Sequence, residues 1–174
     1  MALIYSATTS LDGFMAGPGG DMSWLTEHLG GEDEVADRVL ARTGALLVGR
    51  VTFDGDDPNA GTAAEGAFGG EYDGPAVVLT HRPPADPVAG VEFVTDLTTA
   101  VARARELAGD RDVNVLGADV AMQCLEAGLL DEILVLVAPV LLGEGTRMFP
   151  RRPGGRVRLE PLPGETAHWY RIVS

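Results

Sequence analysis

The sequence predicts a single α/β domain over residues 1–174, built on a mostly parallel central sheet flanked by helices and closed by a C-terminal antiparallel hairpin. Three observations predict it. Between residues 91 and 138 the chain alternates as strand, helix, strand, helix, strand, an order that right-handed crossovers turn into a parallel sheet. Residues 133–138 are apolar at every position, as in a strand covered on both faces. Segments 157–162 and 168–173, broken by Pro163-Gly164, read as a hairpin.

The elements follow in order. Residues 3–8 carry Ile4 and Tyr5 in loose alternation and form a first strand. Residues 10–21 hold four Gly, a Pro and two Asp and read as a mobile loop bordering a site. Residues 32–43 form a helix with Val35, Val39 and Leu40 on one face, Glu32, Asp33 and Glu34 at its N-terminal dipole, and Gly44 as its stop. Residues 45–48 form a short apolar strand running into Gly49-Arg50, with a short helix near 51–54. Residues 55–74, rich in Gly, Ala and acids, form a surface loop. Strands at 76–80 and 91–94 are joined by an extended connection containing Pro83, Pro84 and Pro87. Leu97, Ala100, Val101, Ala104, Leu107 and Ala108 keep helical spacing, with Asp96 as N-cap and Gly109 as stop. A strand at 113–116 and a helix at 119–127, ending at Gly128, complete the alternation.

Composition excludes several function classes. All 13 basic residues are Arg, which removes the Walker phosphate loop and every lysine-based mechanism. A net charge of −13 opposes nucleic-acid binding unless a local Arg patch overrides it. Cys124 is the single cysteine and reads as an inert buried thiol, so no intrachain disulfide is expected. His28, His81 and His168 show no metal-ligand spacing, and no metal is expected. The longest uncharged apolar run is about half a membrane span. A soluble, cytoplasmic protein without nucleic-acid or membrane partners is the expectation.

Ligands of such sheets gather beyond the C-terminal strand ends. Three strand ends there can hold an anion. Gly49-Arg50-Val51-Thr52 offers amides, a guanidinium and a hydroxyl. Thr80-His81-Arg82 presents a hydroxyl, an imidazole and a guanidinium. Gly117-Ala118-Asp119 opens a helix. Together they suit a dinucleotide, although no G-x-G-x-x-G fingerprint is present.

Further segments carry a family resemblance almost end to end: Ser10-Leu11-Asp12-Gly13-Phe14, Gly49 through Asp54, Val78-Leu79-Thr80-His81-Arg82-Pro83, Gly117-Ala118-Asp119-Val120-Ala121, Ala127 through Glu132, Ala138 through Gly145, and Met148-Phe149. The chain resembles the dihydrofolate-reductase-like superfamily, specifically stand-alone relatives of the riboflavin-biosynthesis reductase domain, the C-terminal domain of bacterial deaminase-reductases. The resemblance implies NADPH bound along the sheet and hydride passed to a small pyrimidine- or pteridine-like substrate. It also implies a homodimer. Gly49, Arg50 and Thr52 would meet the cofactor phosphates, and Thr80, His81 and Arg82 the 2′-phosphate. Gly117, Ala118, Asp119, Val120 and Ala121 would set a helix N-terminus against the pyrophosphate. Trp24 would close the nicotinamide side or simply anchor its loop. Phe53 and Asp56 would lie near the substrate, Asp56 equally reading as part of a turn. Asp12 is the candidate proton donor, or else the brace of the Asp12-Gly13 turn.

Two departures stand out. Val115-Leu116-Gly117 has one Gly where the family commonly has a doublet or triplet, and Asn59-Ala60-Gly61 lacks basic residues for a substrate phosphate. The first leaves open a non-catalytic nucleotide- or pteridine-binding protein on the same fold.

Overall fold

The computed structural model describes residues 1–28, 34–55, 57, 59–63, 65–150, 155–163 and 167–173. Strands β1 (Leu3–Ser10), β2 (Phe14–Ala16), β3 (Thr43–Gly49), β4 (Ala76–Leu79), β5 (Val91–Val94), β6 (Asp112–Leu116), β7 (Glu132–Ala138), β8 (Thr146–Arg147), β9 (Arg158–Pro161) and β10 (His168–Val173) alternate with α-helices. Among the described residues the helices are α1 (Glu34–Arg42), α2 (Arg50–Phe53), α3 (Leu97–Ala108) and α4 (Ala118–Glu126). The main sheet has the order β5-β4-β3-β6-β1-β7-β10-β9. Every pair from β5 to β7 is parallel, and β10 is antiparallel to both β7 and β9. The predicted fold class is the observed one.

Alternation along the strands divides the sheet into two unlike faces. One carries Leu3, Tyr5, Ala45, Leu47, Val77, Val113, Val115 and Ile133, sealed by Ala100, Val101 and Ala104 of α3 and Val120, Ala121 and Cys124 of α4. The other carries two smaller clusters. Ile4 and Leu134 pack with Val39 of α1 and Trp169, whereas Leu46, Val48 and Val78 pack under the loop that contains Phe68 and Tyr72. A groove runs over this second face.

α3 starts as its sequence dictates: Asp96 accepts a hydrogen bond from the Thr99 amide at 2.9 Å, and Gly109 ends the helix. Elsewhere the structure corrects the reading. α1 ends at Arg42, and Thr43 opens β3 while its hydroxyl donates to the Val39 carbonyl at 2.7 Å. Gly44 is therefore not the helix stop. It lies in a β-bulge where Thr43 pairs with Asp112 and Ala45 with Val113. A Cβ on Gly44 would stand 2.5 Å from the Ala108 carbonyl, so the end of α3 needs that bare backbone. The acids Glu32 and Asp33 lie outside the described residues, as do Gly164 of the hairpin turn and Asp56.

The 10–21 loop is not loose. β2 pairs with β8, the Leu11 amide donates to the Val140 carbonyl, and the Met148 amide donates to the Gly13 carbonyl. β7 is only partly covered on both faces, since Val137 is 43% exposed.

Gly44→Val is expected to destabilise the fold by roughly 1–3 kcal/mol, the usual cost of forcing carbon into a packed site. Urea unfolding of the two proteins measures it; equal midpoints would mean that α3 can move away from β3 freely.

Candidate functional site

The three anion-competent turns lie side by side. They follow β4, β3 and β6, which are neighbours in the sheet. Register levels their ends: Leu79 is the partner of Gly49, and Leu116 the partner of Val48, so Gly117 continues the same row. All three turns border the groove.

Gly117 makes the junction between two of them. Its φ is +109°, a conformation that L side chains rarely adopt, and a Cβ there would stand 2.5 Å from Thr52 Oγ1. The turns after β3 and β6 close together because this position has no side chain. α4 begins at the next residue. By helix geometry its first three amides, those of residues 118–120, have no partner within the helix and face the cradle. The Ala121 amide donates to the Gly117 carbonyl at 3.1 Å. Ala121 and Val120 place their side chains in the sealed core, so Ala121 supplies packing rather than an anion contact. Asp119 accepts from Gln123 Nε2 at 2.8 Å, which turns its carboxylate along the helix.

Arg50 is partly committed. Its Nε donates to Asp54, its guanidinium lies 5.9 Å from the Phe93 ring centroid, and one terminal nitrogen donates to the Arg82 carbonyl at 3.5 Å. It thus ties the turns after β3 and β4 together. Thr80 is buried and accepts from the Arg82 amide at 3.1 Å, shaping a turn that leaves His81 and Arg82 exposed. The Arg82 side chain makes no ion pair among the described residues. Phe53 packs edge-on against Phe93, at 5.5 Å between centroids, and borders the groove.

Other expected residues stand apart. Of the two readings of Asp12, proton donor or brace, its contacts are those of a brace. Its carboxylate accepts from Ser10 Oγ at 2.6 Å and from the amides of Leu142 at 3.1 Å and Gly143 at 2.8 Å. The Ser10 hydroxyl first, then these amides, hold its carboxyl at about 2 against an ordinary 3.8. A donor must carry a proton near neutral pH, and this group does not. Trp24, in a short 3-10 helix spanning Ser23–His28, turns toward His28 with 6.3 Å between ring centroids. Its neighbours Met22 and Leu25 line the groove instead. Asp57 braces the long loop by accepting from the Asn59 and Gly66 amides at 2.8 and 2.6 Å. The sequence reading also passed over Ser6 and Thr8 of β1, which line the groove floor. Their signal was a pair of hydroxyls at alternate positions, Ser6 and Thr8, on either side of Ala7.

A mostly parallel sheet of this order, flanked by helices and closed by an antiparallel hairpin, has the dihydrofolate-reductase-like α/β fold. The family model described as the RibD C-terminal domain matches residues 1–165, and the chain belongs to that family. Among solved structures, a putative riboflavin biosynthesis protein from Shewanella sp. PV-4 is 23% identical, with TM-score 0.75 and full coverage of both chains. The riboflavin biosynthesis reductase Rib7 of Saccharomyces cerevisiae is 16% identical, with TM-score 0.57, covering 99% of this chain and 89% of that one. A diaminohydroxyphosphoribosylaminopyrimidine deaminase/5-amino-6-(5-phosphoribosylamino)uracil reductase from Thermotoga maritima is 19% identical with TM-score 0.59. The match covers 98% of this chain and 55% of that two-activity protein. No curated protein matches significantly.

Because the Asp12 carboxyl titrates lower folded than unfolded, its contribution is complete above about pH 4 and is lost as pH falls through about 2. Asp12→Asn is expected to melt below the wild type at pH 7, with the two melting temperatures converging toward pH 2. Parallel melting curves across that range would remove Asp12 from the brace.

Proposed function

We propose that the protein is an NADPH-dependent reductase that passes hydride to a small pyrimidine- or pteridine-like acceptor. The observation that carries this reading is the level row formed by the turns after β4, β3 and β6, closed at Gly117 against Thr52. It gives an extended anion a run of bare amides and a guanidinium within one groove. When bound, the cofactor supplies the hydride. The protein's part is to orient and to exclude water. The α4 amides and Thr52 hold the pyrophosphate, and Arg82, exposed beyond Thr80, reads the 2′-phosphate with a planar fork suited to it. Met22, Leu25 and Phe53 supply apolar lining to the groove.

The departure at Leu116 supports a second reading. Its side chain packs with the Leu46, Val48 and Val78 cluster and also borders the groove, as a ligand-holding wall would in a protein that binds without turnover. One experiment separates the readings: NADPH titrated against tryptophan fluorescence, followed by NADPH oxidation over pterin, flavin and aldehyde acceptors. Saturable binding with oxidation supports the reductase. Binding without oxidation supports the second reading, and absence of binding overturns both.

A homodimer is part of the proposal. Leu11 and Leu141 are 68% and 69% exposed, on segments joined by the Leu11–Val140 hydrogen bond, and Phe149 is 39% exposed. Light scattering at a single-chain mass would remove it.

Arg82→Ala is expected to weaken NADPH by roughly tenfold, the scale of one charged hydrogen bond, with little change for NADH. Equal losses for the two cofactors would show that Arg82 does not read the 2′-phosphate.

A further inference from the structure

Behind the groove, on the other face of β1 and β7, lies a second pocket of about 210 Å³, lined by Thr9, Gly13, Val135, Arg147, Met148 and Phe149. Strand alternation separates the two: Thr8 and Leu136 line the groove, whereas Thr9 and Val135 look the other way. No residue of the three strand-end turns reaches this pocket.

Two polar groups here have capacity to spare. Thr9 is 3% exposed, and its hydroxyl makes no hydrogen bond among the described residues. Buried hydroxyls are normally satisfied, as Ser10 beside it shows by donating to Asp12 and accepting from the Phe14 amide. A Val at position 9 would keep the same branched shape without the polar atom.

Arg147 is the second group. Its guanidinium lies 4.2 Å from the Phe14 ring centroid, and Nη1 donates to the Asp12 carbonyl at 3.2 Å. These contacts hold the plane of the fork and leave most of its N–H groups unspent. Arg42, Arg50, Arg103, Arg105 and Arg158 each pair with a carboxylate, but Arg147 makes no ion pair among the described residues. The Asp12 carboxylate, carried by the same loop, is taken up by Ser10 and the amides of Leu142 and Gly143.

We infer that this pocket binds a small organic acid, its carboxylate held by Arg147 and the Thr9 hydroxyl and its apolar body set against Val135, Met148 and Phe149. The donors suit a carboxylate, since a guanidinium offers it two parallel N–H groups and the hydroxyl adds a third hydrogen bond. A cation is repelled by Arg147. Inorganic phosphate brings more charge and more oxygens than one guanidinium and one hydroxyl satisfy, beside three apolar walls. Size sets the other limit: drug-sized sites span roughly 300–1,000 Å³, so this one takes a single ring or a short chain. A guanidinium already held in plane loses little freedom when the acid arrives.

The experiment titrates benzoate, benzyl alcohol and inorganic phosphate into ¹⁵N-labelled protein and follows the amide signals of Thr9, Gly13 and Met148. Benzoate is expected to shift them saturably with millimolar affinity, and the other two to bind at least about tenfold more weakly. Thr9→Val should weaken benzoate about fivefold, the scale of one hydrogen bond, and Arg147→Gln about tenfold or more, that of a charged one. Arg147 is exposed, so Arg147→Gln decides alone if Thr9→Val fails to fold. Unchanged benzoate affinity in the variants overturns the inference, as does phosphate binding tighter than benzoate or no binding up to about 20 mM benzoate. Light scattering accompanies the titration, because Phe149 also belongs to the proposed dimer surface. A constant mass supports a free acid as the occupant. A mass that falls as benzoate binds puts a side chain of a second copy in the pocket and overturns the inference.

Discussion

The structure depends on register. Three neighbouring parallel strands of different sequence and length end at one level, and the row of turns beyond them follows from that. The bulge at Thr43 and Gly44 gives β3 one extra residue against β6. Beyond it Ala45 and Leu47 pair with Val113 and Val115 on the sealed face, and Gly49 arrives level with Leu79 and Gly117. A slip by one residue would turn each buried side chain toward the opposite face, so core packing holds the strand ends as well. The cradle is set by hydrophobic sorting in the body of the sheet more than by contacts within the turns.

The two ends of the sheet differ accordingly. At the N-terminal end, the buried carboxylates of Asp112 and Glu132 are met by a half-exposed guanidinium. Arg42 Nε donates to Asp112 at 2.7 Å and a second nitrogen to Glu132 at 3.4 Å, while Trp169 Nε1 donates to Glu132 at 2.9 Å. The Ala2 amide donates to Asp112 at 2.6 Å, which anchors the start of the chain. Such groups tolerate burial only when their partners are present, so this end is closed. At the C-terminal end the polar groups are amides, hydroxyls and exposed guanidinium groups facing a groove. Closed polarity below and open polarity above give the sheet a direction.

The sequence made the alternation from β5 to β7 legible because helical spacing in α3 and its Asp96 cap act locally. The three turns were legible for the same reason, each being a short strand-end motif. What sequence could not show was what lies opposite. Gly44 reads as a helix stop until the end of α3 is seen pressing on it. Asp12 reads as a free acid until the amides of Leu142 and Gly143, far along the chain, take both its oxygens. Ala121 carries the family motif yet faces inward. Asn114 reads as one polar residue between Val113 and Val115, and only the folded sheet brings Ser6, Ile4 and Leu46 beside it.

Cys124 sits 0% exposed in the sealed core, where burial raises its thiol to about 12. Thiolate chemistry at neutral pH is thereby suppressed at the one sulfhydryl the chain contains. The molecule is a natural host for selective labelling without prior removal of native cysteine. A single thiol engineered at an exposed position of the long loop, such as Ala63, would take a fluorophore or spin label alone and report the local motion of that loop in real time.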